Sequence, residues 1–194
     1  MARHERMFRH EHAHKLDDPD RQRWLPTGAV VECLSLQPGM SVADVGAGTG
    51  YFALPIARAV VPGGQVFAVD VQPEMLARLR ERLEPGLPIA LVEGEATRTT
   101  LHAASVHLVF LANVWHEIDD REAALAEAAR ILRPGGRVAI LDWRTDVEQP
   151  PGPPLGHRLA ASDVQAMLGA NGWKVEPSQS VGDYSYLMVA TPRG

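Results

Sequence analysis

The chain has 194 residues, enough for one domain that buries its own core. A formal charge of −5 excludes nucleic acid as the main partner, because phosphate binding needs concentrated positive charge. A lone Cys33 excludes an internal disulfide and a thiolate metal cluster; with no signal segment and no apolar run of about eighteen residues, a cytoplasmic protein without a membrane partner is expected.

Residues 1–37 read as an N-terminal helical arm and residues 38–194 as the main domain. The arm opens with His4, His10, His12 and His14. In a helix His10 and His14 share a face, yet no second ligand cluster accompanies them, so a polar arm is expected and no metal. Asp17-Asp18-Pro19 signals a short helix stopped by Pro26, and Thr27 a cap for a helix over 28–36. The arm is expected to fold over the domain's cleft as a lid, carrying His14 to the active site.

Met40 to Asp70 organises the rest. Ser41–Val45 is a short apolar run, as a buried parallel strand should be. Gly46, Gly48 and Gly50 let the backbone turn sharply and approach a ligand. A helix over 51–60 follows, so the glycine turn opens on a helix N-terminus that favours an anion. The second strand, 66–70, ends in Asp70, twenty positions beyond Gly50, where a carboxylate accepts hydrogen bonds from both ribose hydroxyls of a nucleoside.

Next come a helix over 72–83, a strand at 89–93 and the turn Gly94-Glu95-Ala96. A fourth strand, 105–112, leads into Asn113-Val114-Trp115-His116-Glu117 at the carboxyl edge of the sheet, where open α/β folds bind ligands. Asp119-Asp120 caps a helix to 132, and Arg133-Pro134-Gly135-Gly136 precedes a fifth strand over 137–141. Residues 142–156 form a proline-rich loop expected to border a substrate pocket, with Asp142 and Trp143 as pocket candidates. Ser162-Asp163 caps a helix to 170, and strands at 173–176 and 185–190 close the chain. The expected fold is a Rossmann-like, doubly wound α/β sheet of seven strands, mostly parallel with the last antiparallel.

A dinucleotide fingerprint requires a third glycine where Tyr51 stands. The pattern present, Asp44-x-Gly46-x-Gly48-x-Gly50, resembles motif I of the class I S-adenosylmethionine-dependent methyltransferases. Leu132-Arg133-Pro134-Gly135-Gly136 resembles their motif III, and Gly94-Glu95-Ala96 their Gly-Asp-Ala loop with a longer acid. The resemblance covers about residues 38–192 and is nearest to the small-molecule branch that includes quinone-biosynthesis and arsenite methyltransferases. It implies S-adenosyl-L-methionine as cofactor, held by Asp44 at its cationic end, the three glycines, Tyr51, Asp70, Val71, Gln72 and Met75 around the adenine, Glu95 and Ala96, and Asn113. It also implies a small-molecule methyl acceptor. Arsenite chemistry in that branch uses several cysteines, which speaks against arsenic.

His116 reads either as a general base, with a ring pKa suited to neutral pH, or as a histidine bonded to backbone. Trp115 and Tyr51 are candidates for an apolar pocket, and a homodimer stays open. Competing readings are an NAD(P)-dependent oxidoreductase, supported only by the generic strand–glycine–helix–strand–acid layout, and a non-catalytic S-adenosylmethionine-binding module.

Overall fold

The computed structural model describes residue 8 and residues 10–147 and 151–193. His4 and residues 148–150 of the proline-rich loop lie outside the described residues.

Eight strands form one sheet: β1 (Ser41–Val45), β2 (Gln65–Asp70), β3 (Ile89–Glu93), β4 (Val106–Ala112), β5 (Leu132–Trp143), β6 (Trp173–Val175), β7 (Gln179–Val181) and β8 (Ser185–Pro192). The order is β3-β2-β1-β4-β5-β8-β6, with β7 also pairing β8. β1 to β5 are mutually parallel, and β8 runs antiparallel to β5. The helices are α1 (Arg21–Trp24), α2 (Thr27–Cys33), α3 (Ala53–Val60), α4 (Pro73–Glu81), α5 (Arg121–Ile131) and α6 (Ala161–Ala170).

The sheet keeps the expected doubly wound, mostly parallel plan, and its last lane is divided between β6 and β7, for which Pro177 supplies the reason. β6 pairs with Ala190–Pro192 and β7 with Ser185–Leu187, so both lie against β8. Glu176 N still donates to Val189 O, but Pro177 has no N–H to continue the ladder. One lane of sheet is thus split in two.

Alternation along the strands sends side chains to two cores. Val42, Phe110, Leu141 and Leu187 face α2 and α3. Ala43, Leu111, Ile140 and Met188 face α5 and α6, completing a doubly wound layer structure.

Other boundaries shift for local reasons. The arm forms a 3-10 turn at His10–Lys15, and the helix expected from Asp17 begins at Arg21, because Asp17 and Asp18 are engaged elsewhere. Asp18 accepts from Asp20 N, while Asp17 reaches the Thr49 hydroxyl at 2.7 Å and Arg82. Pro26, not Thr27, is the α2 N-cap, and Thr27 bonds to Gln22. Asp120 does cap α5, accepting from Ala123 N. β5 begins at Leu132, bulges through Pro134-Gly135-Gly136 with Gly135 at φ 78°, and runs on to Trp143. Asp142 is therefore a strand residue paired with Tyr186, not part of the following loop. Among the described residues, no helix is long and apolar enough to cross a membrane.

Candidate active site

The glycine turn after β1 is built from backbone. Gly46, Gly48 and Gly50 all have positive φ, at 76°, 54° and 86°. A Cβ on Gly46 would sit 2.3 Å from Val114, and one on Gly50 2.2 Å from Leu79, so neither place admits a side chain. Gly46 and Ala47 donate to Val69 O, which locks the turn onto the end of β2. Asp70 Oδ2 then accepts from Gly48 N at 2.8 Å, and its Oδ1 from Gln72 N at 2.9 Å. Burial pushes the Asp70 carboxyl up against the opposing pull of these amides.

Asp44 is 2% exposed, and its Oδ2 has no hydrogen-bond partner. Burial and the neighbouring Asp70 charge raise its pKa to about 7, with an amide bond from Ala53 and the charge of Arg21 working the other way. Arg21 is a buried cation whose guanidinium lies 3.9 Å above the Tyr51 ring, and burial lowers its pKa to about 10. Sequence reasoning missed it: an arginine among the polar residues of a one-turn helix carries no signal. Tyr51 itself turns to the arm, its hydroxyl donating to Leu25 O at 2.6 Å.

Asn113 follows β4 with φ 57°, and both polar atoms of its side-chain amide are buried without a partner. Glu95 and Ala96 occupy the turn after β3, which Gly94 N ties to Asp70 O at 3.1 Å. Thr97 donates to Glu95.

Beyond Asn113 lies a second acidic cluster. His116 Nδ1 faces Asp142 Oδ1 at 2.8 Å, and His116 N donates to Asp142 Oδ2 at 2.9 Å. His116 Nε2 is 3.7 Å from Glu117 Oε1. Burial works to lower the His116 pKa, but the bond and charge of Asp142, joined by Glu117, outweigh it and raise it. Burial takes Glu117 up to about 7. Glu117 is a second residue that the sequence reading passed over, since an acid beside a histidine reads as a solvated helix start. Trp115, expected to line a pocket, is 1% exposed and packs into the α5–α6 core.

The arm crosses this edge. Phe8 N donates to Glu117 Oε2, while Gln72 Nε2 donates to Phe8 O at 2.8 Å and Gln72 Oε1 accepts from His10 N at 3.0 Å. Leu16 lies over Gly48. Of the residues expected around adenine, Val71 is 41% exposed, Gln72 is held by the arm, and Met75 is buried on α4, where the 3-10 turn packs. His14 is exposed and meets the edge of His12 outside the His116–Asp142 cluster. Among the described residues no cluster of His, Cys, Asp and Glu is arranged to hold a metal ion.

A methyltransferase domain family model matches residues 43–140, about half of the chain. The chain is 31% identical over 182 residues to an arsenite methyltransferase of Halobacterium salinarum, covering 81% of this chain and 46% of that one. It is 30% identical over 161 residues to a ubiquinone/menaquinone biosynthesis C-methyltransferase of Bordetella avium, covering 75% and 61%. The chain thus spans about half the length of these curated relatives. A SAM-dependent methyltransferase from Aquifex aeolicus superposes with a TM-score of 0.89 at 30% identity, over 95% of this chain and 98% of that one.

The chain belongs to the S-adenosylmethionine-dependent methyltransferases. Its cofactor is S-adenosylmethionine, and the residues present fit that molecule. The unpartnered carboxylate oxygen of Asp44 suits an ammonium, and the unpartnered Asn113 amide offers a donor and an acceptor.

Proposed function

We propose that the chain transfers a methyl group to a small-molecule acceptor by in-line displacement. The carrying observation is the unpartnered, nearly fully buried Asp44 carboxylate oxygen beside the glycine turn and Asp70. When bound, S-adenosylmethionine supplies a methyl group already activated on a sulfonium. Asp44 receives the ammonium end, and that positive charge restores Asp44 to its carboxylate form. The glycine turn brings the backbone close, Asp70 takes the ribose hydroxyls, and Val71, Gln72, Met75, Glu95 and Ala96 surround the adenine. Asn113 closes the site from the β4 side.

The protein's remaining work is to align an acceptor atom within about 3–3.5 Å of the methyl carbon and to exclude water. Arm residues 8 and 10–16 supply the lid, with Phe8 bridging the exits of β2 and β4. His116 and Asp142 stand on the acceptor side. The named activities of the quinone-pathway and arsenite relatives support a small acceptor, and the acidic charge balance speaks against a nucleic-acid partner.

Calorimetric titration with S-adenosylmethionine, S-adenosylhomocysteine and NAD tests this reading. Tight binding of both sulfur nucleosides, weakened in Asp70→Ala, is expected. NAD binding in their place would overturn it.

A further inference from the structure

We infer that Glu117 takes the proton of the methyl acceptor, with His116 and Asp142 as positioning residues behind it. The inference rests on the methyl-transfer reading and names the acceptor class: a hydroxyl, a phenol or an activated carbon, each of which must lose a proton.

The geometry favours Glu117 over the histidine. Asp142 holds His116 at both Nδ1 and the main-chain nitrogen, and the ring is 5% exposed. Its remaining nitrogen, Nε2, faces Glu117 Oε1. An acceptor therefore exchanges a proton with this cluster through Glu117, whose side chain is 15% exposed.

Glu117 is also tied to the end of the strand that carries Asp70. Its Oε2 accepts from Phe8 N, and Gln72, two residues past Asp70, donates to the carbonyl of the same Phe8. Glu117 and the end of β2 thus face each other across one residue of the arm. A ribose bound through Asp70 would leave its sulfonium one carbon from the ring, on the edge of the sheet that Phe8 spans.

Burial and opposing charges act on Glu117. His116 and the Phe8 amide favour its carboxylate, whereas Asp142 and Asp70 disfavour it. Arg121 donates to the carbonyls of Trp115 and His116, and its charge opposes that of the His116 ring. With burial, the balance lies at about 7, suited to proton exchange near neutrality. In the reaction the acceptor's X–H bond breaks and its electron pair bonds the methyl carbon. The pair of the S–C bond stays on sulfur, and the proton passes to the Glu117 carboxylate.

Calorimetry of the full chain in two buffers of different ionisation enthalpy counts the protons released on binding, with no acceptor needed. S-adenosylmethionine and S-adenosylhomocysteine differ by one methyl group and one positive charge. A sulfonium beside Glu117 favours its carboxylate, so the methylated ligand should expel up to about half a proton more at pH 7. Glu117→Gln should abolish that difference while both ligands still bind. His116→Gln removes a cation that favours the Glu117 carboxylate, so it should move the difference to higher pH. Equal proton counts for the two ligands in the wild type would overturn the inference and leave Glu117 as an anchor for Phe8. Failure of both ligands to bind would instead sink the methyl-transfer reading, and this inference with it.

Discussion

The two halves of the sheet's carboxyl edge are built by different means. At the exits of β1 and β2, the acids are met by backbone amides: Gly48 and Gln72 on Asp70, Ala53 on Asp44. At the exits of β4 and β5, amides again meet the acids, His116 N and Trp143 N on Asp142 and Phe8 N on Glu117, but there polar side chains also meet one another, with Asp142 on His116 and His116 beside Glu117. A backbone-built half depends on chain conformation and tolerates little change in glycine. A side-chain-built half depends on pairing across strands and responds to pH. In the proposed function the first half holds the nucleoside and the second faces the acceptor.

The largest effect should follow from Asp70→Ala. In the proposed site Asp70 is the charged acceptor for two ribose hydroxyls, and its loss should weaken S-adenosylhomocysteine binding by about 100-fold or more, read by calorimetry. Gly50→Ala comes next. It places a Cβ at φ 86° and 2.2 Å from Leu79, and urea unfolding should show a loss of about 3 kcal/mol.

Asp142→Asn probes the other half and should cost about 3 kcal/mol at pH 6, because it strands a buried imidazolium. The sign with pH follows from the raised His116 pKa. Asp142's stabilising contribution is complete below the unfolded histidine value of about 6.5 and fades as pH rises through the folded value. Unfolding curves of wild type and variant should therefore converge in alkaline solution. Convergence in acid instead would mean that Asp142 holds the neutral ring.

Glu127→Gln probes the support of the turn after β3, since Glu127 holds Thr99, whose carbonyl packs against Gly94. Glu127 accepts from Thr99 N and Oγ1 and from Arg130, and Arg130 holds its pKa down at about 2. A loss of about 1 kcal/mol in stability is expected at pH 7, closing as pH falls from about 4.5 toward 2, read by urea unfolding. The smallest effect belongs to His14→Ala. The ring is exposed, and affinity should stay within about twofold of wild type.

The same contrast explains what could be read in the sequence. Ser41–Val45 and Ile89–Glu93 coincide with their strands because apolar runs between turn signals fix buried parallel strands. The glycine turn and Asp70 were legible because their geometry depends on residue type at fixed spacing. His116 and Asp142 were visible only as separate candidates, 26 residues apart, and their bond is a product of β4–β5 pairing. Arg21 and Glu117 left no mark, since each acquires its meaning from burial that periodicity does not encode. The arm's 3-10 turn escaped because His10 at its start and Phe8 just before it bond to Gln72 and Glu117, far away in the chain.

Pro177 has a consequence beyond the strand count. The lane formed by β6 and β7 is the open margin of the sheet next to β8, and an unbroken margin would invite another chain to add a strand. Splitting it into two three-residue pieces leaves no continuous row of donors and acceptors for such a partner. The missing N–H that interrupts the ladder thus also protects the folded protein from edge-to-edge aggregation.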